Sequence, residues 1–249
     1  MEPDQLALQL YTVRDNIARD GFLSVIKQVA TAGYRGVELA GVPAGLTALE
    51  VRRILTDHGL RVVGGHFPLP IGKKANEVLD QAQALGCRYL CRSTSRELFQ
   101  SVAGIRRQAE EFNCAAEACR SRNITCQVHN HWWEFATVEG RCAYEWLLEA
   151  LQPTVKLQLD VYWAQTGGHN PADWIRRLGP RAPTLHVKDG PCVVGQPMTA
   201  VGEGRVDIAA CLQAAANTVE WFIVELDECA TDMMDAVRNS ARYLLKLAR

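Results

Sequence analysis

The stretch Lys156–Trp163, KLQLDVYW, decides how this chain folds. A short β-prone run, too brief for a helix, ends on a carboxylate and two aromatic residues. The same form recurs along the chain. Before it come LALQLY (Leu6–Tyr11), GVELA (Gly36–Ala40), RVVGGHF (Arg61–Phe67), RYLCRS (Arg88–Ser93) and ITCQVHN (Ile124–Asn130). After it come TLHVKD (Thr184–Asp189) and WFIVELD (Trp221–Asp227). Between these runs lie segments with helical spacing. In FLSVIKQVATAG, Gly33 marks a helix stop, and in LTALEVRRILTDHG, Thr47 and Glu50 make a capping box. Parallel strands joined by helices give either an open doubly wound sheet or a closed barrel. Eight such units at roughly 30-residue intervals, in a chain of 249 residues, favour a single-domain (β/α)8 TIM barrel over residues 1–249. No GxGxxG loop follows the first strand, which weakens a dinucleotide-binding sheet.

Composition narrows the function classes. Apolar residues make up 48% and charged residues 22%, ordinary for a globule with a sizeable core. With 27 basic and 28 acidic residues and no basic block, the balance disfavours a nucleic-acid partner. Nine cysteines, an odd number without CxxC spacing, suit reduced thiols and predict a cytoplasmic protein. The start, MEPDQLALQLYTVRD, lacks the apolar core of a signal peptide, and no run approaches the ~20 apolar residues of a membrane span. The expected partner is a small molecule, and a homo-oligomer is compatible with this composition.

A barrel places function where its strands end. The third strand ends in His66. The fifth runs into His129, Asn130, His131 and Glu134, within QVHNHWWEF (Gln127–Phe135). The sixth carries Asp160, Tyr162 and Trp163, the seventh His186, Lys188 and Asp189, and the eighth Glu225 and Asp227. Singly, such a histidine is usually a hydrogen-bonded core residue, and such an aspartate a helix cap. Asp160 and Glu225, however, each follow a strongly apolar run. A carboxylate placed there is partly buried and needs a cation or a shared proton. A Glu, an Asp, a His and a Glu on adjacent strands answer that need with one divalent ion. Three oxygens and a nitrogen suit Mn²⁺ best, with Mg²⁺, Co²⁺ or Zn²⁺ alternatives.

QLYTVRD, GYRGVELAG, HNHWWEF, LDVYW, HVKD, VGEGRVD and WFIVELD, in that order, resemble the sugar phosphate isomerase/epimerase family of xylose isomerase-like TIM barrels. The resemblance spans nearly the whole chain. It implies a metal at the barrel mouth, held by Asp160, His186 and Glu225, and two glutamates on opposite faces of a ketose. Relatives place a further Glu within the fifth strand, where this chain has Gln127, Val128 and His129. Either Glu134 folds back as that ligand, or His129 or His131 replaces it. Glu134 is favoured, because HNHxxEF resembles a family variant that keeps this Glu.

A metal between a carbonyl and a neighbouring hydroxyl acidifies the C–H between them, and a positioned base then moves the proton. Glu134 and Glu225 are the expected proton carriers, with Lys188 able to protonate an oxygen. His66, His129 and His131 would contact sugar hydroxyls, and Trp132, Trp133 and Trp163 would wall the sugar's C–H face. Epimerisation or aldose–ketose interconversion follows. Elimination, by a dehydratase or 3-keto-glycoside lyase, is the alternative, and a non-catalytic sugar-binding subunit is a third reading. The GEG at Gly202–Gly204 lies where barrels often bind phosphate, but Glu203 there favours a non-phosphorylated sugar.

Overall fold

The computed structural model describes residues 1–248. Its strands are β1 (Leu6–Gln9), β2 (Gly36–Leu39), β3 (Arg61–His66), β4 (Tyr89–Ser93), β5 (Thr125–His129), β6 (Thr137–Val138), β7 (Arg141–Cys142), β8 (Lys156–Asp160), β9 (Thr184–Val187) and β10 (Trp221–Val224). Eight of them close a barrel in the order β1-β10-β9-β8-β5-β4-β3-β2. Every pairing in that ring is parallel. The expected (β/α)8 TIM barrel is therefore the observed one. β6 and β7 form a small antiparallel hairpin inserted between β5 and β8. Its turn, Glu139–Gly140, has both residues at positive φ, the twist that two-residue hairpins need.

Strands covered on both faces must be apolar throughout, and β1, β2, β9 and β10 are buried at every position. The outer helices bury one stripe each. Met234, Val237, Ala241 and Leu244 of the helix Met233–Leu247 face inward at helical spacing. Full burial of each such large side chain contributes about 2 kcal/mol. The capping box at Thr47 forms: its hydroxyl accepts from Glu50 N, and Glu50 Oε2 accepts from Thr47 N at 2.8 Å. Inside the barrel, Ala7, Val63, Tyr89, Trp221 and Ile223 pack as a separate apolar cluster. A Cβ on Gly36 would lie 2.6 Å from the Trp221 ring, so this strand position has to be glycine.

The strands end earlier than the sequence suggests. β8 stops at Asp160, and Tyr162 and Trp163 belong to the following helix, Val161–Thr166. Asp160 Oδ1 accepts from Trp163 N at 2.8 Å, so the cap ends the strand and starts the helix. Lys188, Asp189, Glu225 and Asp227 likewise lie just past β9 and β10, on the C-terminal rim. No helix among the described residues is long and apolar enough to cross a membrane, and all nine cysteines are free thiols.

Candidate metal centre and active site

Burial at the C-terminal ends of β5, β8, β9 and β10 brings four donors together. His129, Asp160, His186 and Glu225 each offer a ligand atom, and these atoms all lie within 4.8 Å of one another. All four residues are buried. Asp160 spends Oδ1 on its helix cap, while its buried Oδ2 has no hydrogen bond and faces the Lys188 ammonium at 3.4 Å. The ammonium balances part of that charge, and the oxygen, without a hydrogen bond, keeps lone pairs able to ligate a metal ion. Two imidazoles and two carboxylates are a donor set that a divalent ion fits.

The supporting residues fix these donors. Glu38 of β2, fully buried, accepts from Gln9 Nε2 and Gln158 Nε2, each at 2.6 Å. It lies 2.6 Å from His186 Nε2, which leaves His186 Nδ1 facing Glu225 at 2.8 Å. Gln158 Oε1 sits 3.1 Å from His129 Nδ1 and 3.0 Å from His66 Nε2. A carboxylate or amide behind each imidazole sets its tautomer and ring angle. Glu38 and Gln158 are the functional residues that the sequence reading passed over. The signal was available, because Glu38 in GVEL is as isolated among apolar neighbours as Asp160 in KLQLD.

Electrostatics follow from burial and partners. Burial opposes a charge on His186, yet Glu225 and Glu38 outweigh it and raise its pKa to about 9. Burial also opposes ionisation of Glu225, but Lys188 and His186 hold its carboxyl well below the usual range. Asp160 is pushed by burial to about 6, with Lys188 restraining the rise. Desolvation takes His129 well below its ordinary value and His131 to about 3, so both are neutral bases. Lys188 is 1% exposed. Its Nζ lies 2.7 Å from Glu225 and 3.0 Å from Asp227, carboxylates that keep it charged against burial.

A cavity of about 670 Å³ opens over this cluster, a common size for a small-molecule site. His66, His129, His131, Trp132, Trp133, Trp163, Lys188 and Glu225 all line it. His131 and Trp133 stack with centroids 4.1 Å apart and planes 11° apart. His131 Nδ1 and Trp163 Nε1 are buried without a hydrogen-bond partner among the described residues.

Glu134 stands apart from these residues. The structure brings His129, not Glu134, into the ligand cluster. The physical reason lies in the chain's path. After β5 the backbone turns into the short 3-10 helix Trp133–Phe135, which carries the Glu134 side chain away from the four ligand atoms. Its Oε1 accepts from the Thr94 hydroxyl and its Oε2 from His131 N at 2.8 Å. Burial raises its carboxyl to about 8.

The loop after β9 also differs from a phosphate site. Asp189, fully buried, accepts four backbone N–H groups: Gly190 and Val206 on Oδ1, Gly202 and Gly204 on Oδ2, at 2.8–3.0 Å. The amides of this loop that would receive a phosphate hold the chain's own carboxylate instead.

Comparison with known proteins agrees with this architecture. Residues 26–247 match the family model described as xylose isomerase-like TIM barrel. A sugar phosphate isomerase/epimerase from Parabacteroides distasonis superposes with a TM-score of 0.83 at 23% identity, covering 98% of this chain and 93% of its own. A probable 3-DHS dehydratase, AsbF, involved in petrobactin synthesis in Bacillus anthracis, gives 0.76 at 15% identity, with 98% of each chain covered. A protein named IolI, with a bound zinc atom, gives 0.73 at 12% identity, again with 98% of each covered. At these identities the likeness establishes the fold alone. No protein of curated function matches the sequence.

Proposed function

The chain belongs to the xylose isomerase-like TIM barrel family, and on that premise we propose that it is a divalent-metal-dependent isomerase or epimerase of a keto-sugar. The observation that carries this reading is the buried quartet His129, Asp160, His186 and Glu225 beneath an aromatic-walled cavity. With His129 in place of a fifth-strand carboxylate, two nitrogens and two oxygens suit Mn²⁺, Co²⁺ or Zn²⁺ better than Mg²⁺. Bound there, such an ion supplies the positive charge that makes a C–H beside a carbonyl acidic.

The chain's own residues do the rest. Glu225, held ionised by Lys188 and His186, is the carboxylate able to accept that proton at Oε1 or Oε2. Lys188, charged and facing the cavity, is the group able to return a proton from Nζ. Return to the other face of the same carbon inverts its configuration, and return to the neighbouring carbon moves the carbonyl. Glu225 then passes the proton it took to Lys188, 2.7 Å away. His131 and Trp163 line the cavity and place an imidazole and an indole beside the sugar. Trp132 and Trp133 cover the apolar face of the ring. The filled Asp189 cradle supports a sugar without phosphate at that position. A second reading, elimination, uses the same start: Lys188, 3.0 Å from Asp227 at the cavity mouth, is placed to protonate a leaving oxygen.

Metal analysis tests the reading. Purified protein should hold about one divalent ion per chain. His129→Ala, Asp160→Ala and His186→Ala should each weaken Mn²⁺ binding tenfold or more. Full metal content in all three variants would place the ion elsewhere and end the proposal.

A further inference from the structure

The loop after β5 carries His131, Trp132 and Trp133 to the cavity, and two buried side chains, Thr94 and Glu134, hold the first and the last of them. Thr94, just past β4, receives the Trp133 indole N–H at 3.0 Å and gives its hydroxyl to Glu134. Glu134 takes the His131 backbone N–H on its other oxygen at 2.8 Å. His131 and Trp133 are the stacked pair of the cavity wall. Glu134 is 0% exposed and, like Thr94, lies behind that wall rather than on it. A carboxyl kept from water at this depth has to be hydrogen-bonded, and both of its oxygens are. The stack is thus anchored at two points, the His131 backbone and the Trp133 ring edge.

We propose that Glu134 and Thr94 are positioning residues that fix the plane of the His131–Trp133 stack, and that Glu134 neither binds the metal nor moves the substrate proton. The part of this inference that concerns the sugar rests on the function proposed above. Fixing the stack holds the His131 ring and the Trp133 face to one sugar geometry. An unanchored indole turns about its side-chain torsions and stops discriminating.

Three readouts test the clamp: Mn²⁺ affinity by titration, hydrogen exchange of the Trp133 indole N–H by NMR, and tryptophan quenching by D-fructose as a ketose probe. Glu134→Gln should keep Mn²⁺ affinity within about twofold and keep the indole protected, because an amide can donate to Thr94 while accepting from His131. Thr94→Val should also keep Mn²⁺ affinity but lose at least tenfold of the indole protection. It should raise half-saturation by D-fructose about fivefold or more, and Thr94→Ser should restore both. A Glu134→Gln protein that loses tenfold or more in Mn²⁺ affinity would make Glu134 a ligand and overturn the inference. So would a Thr94→Val protein with unchanged indole protection. If wild type fails to bind D-fructose, that counts against the proposed function, while Mn²⁺ and the indole still decide the clamp.

Discussion

Glu38 and Glu134 are both buried carboxylates near one site, and their partners give them opposite states. Glu38 sits among His186, His66, Gln9 and Gln158, and these imidazoles hold it ionised against burial. Its expected role is to orient His186, so Glu38→Gln should lower Mn²⁺ affinity about 10- to 100-fold while the barrel stays folded, measured by metal titration and circular dichroism. Glu134 has no cation beside it, and its pKa rises to about 8. The sign of the resulting pH dependence follows from linkage. Folding keeps the proton that the unfolded chain loses near its ordinary value, so stability from this group is fully present at low pH and is lost as pH rises through about 8. Glu134→Gln, which resembles the protonated acid, should therefore gain stability relative to wild type as pH rises from 5 to 9. Urea unfolding of both metal-free proteins across that range checks it. A difference that does not vary with pH would mean Glu134 is ionised throughout.

The elements explain why much of the site could be read in the sequence and some could not. Short apolar runs interrupted or ended by Asp160, His186 and Glu225 point to rim carboxylates and an imidazole, because a β-prone run and the polar residue that breaks it are both visible in sequence. Where the backbone leaves the strand, that logic stops. Glu134 is close to β5 in sequence, yet one turn of 3-10 helix sends its side chain behind the wall. Glu38 carries the same signal as Asp160, a carboxylate in an apolar run, but it lies within β2 rather than at its end, so a search of strand ends passes over it. In VGEGRVD the sequence argues against phosphate through Glu203, but it does not reveal that Asp189 fills the loop. A Cβ on Gly204 would come 2.1 Å from Asp189 Oδ1 and from Gly190 N. Gly204→Ala should therefore cost roughly 3 kcal/mol in urea unfolding, a figure set by the loss of several buried hydrogen bonds. A cost below about 0.5 kcal/mol would show that the loop does not depend on Asp189.

At the scale of the molecule, the barrel converts eight separate strand ends into one enclosed rim. The four candidate metal donors come from the C-terminal ends of β5, β8, β9 and β10, which are neighbours in the ring. Helices outside and the apolar plug around Trp221 within hold those ends in register. Charge is balanced across the chain as a whole, at −1 overall, while the rim concentrates Asp160, Glu225, Asp227 and Lys188 over a few ångströms. On the proposed function, this rim with a divalent ion labilises a C–H beside a sugar carbonyl. Solvent-deuterium incorporation over a panel of non-phosphorylated ketoses and keto-glycosides, in Mn²⁺, tests it most directly. Deuterium should enter at a single carbon next to the carbonyl in at least one of them, and chelation or Glu225→Gln should abolish it. A metal-loaded wild-type protein that exchanges no carbon-bound hydrogen in any of them, or a Glu225→Gln protein that exchanges as fast as wild type, would contradict it.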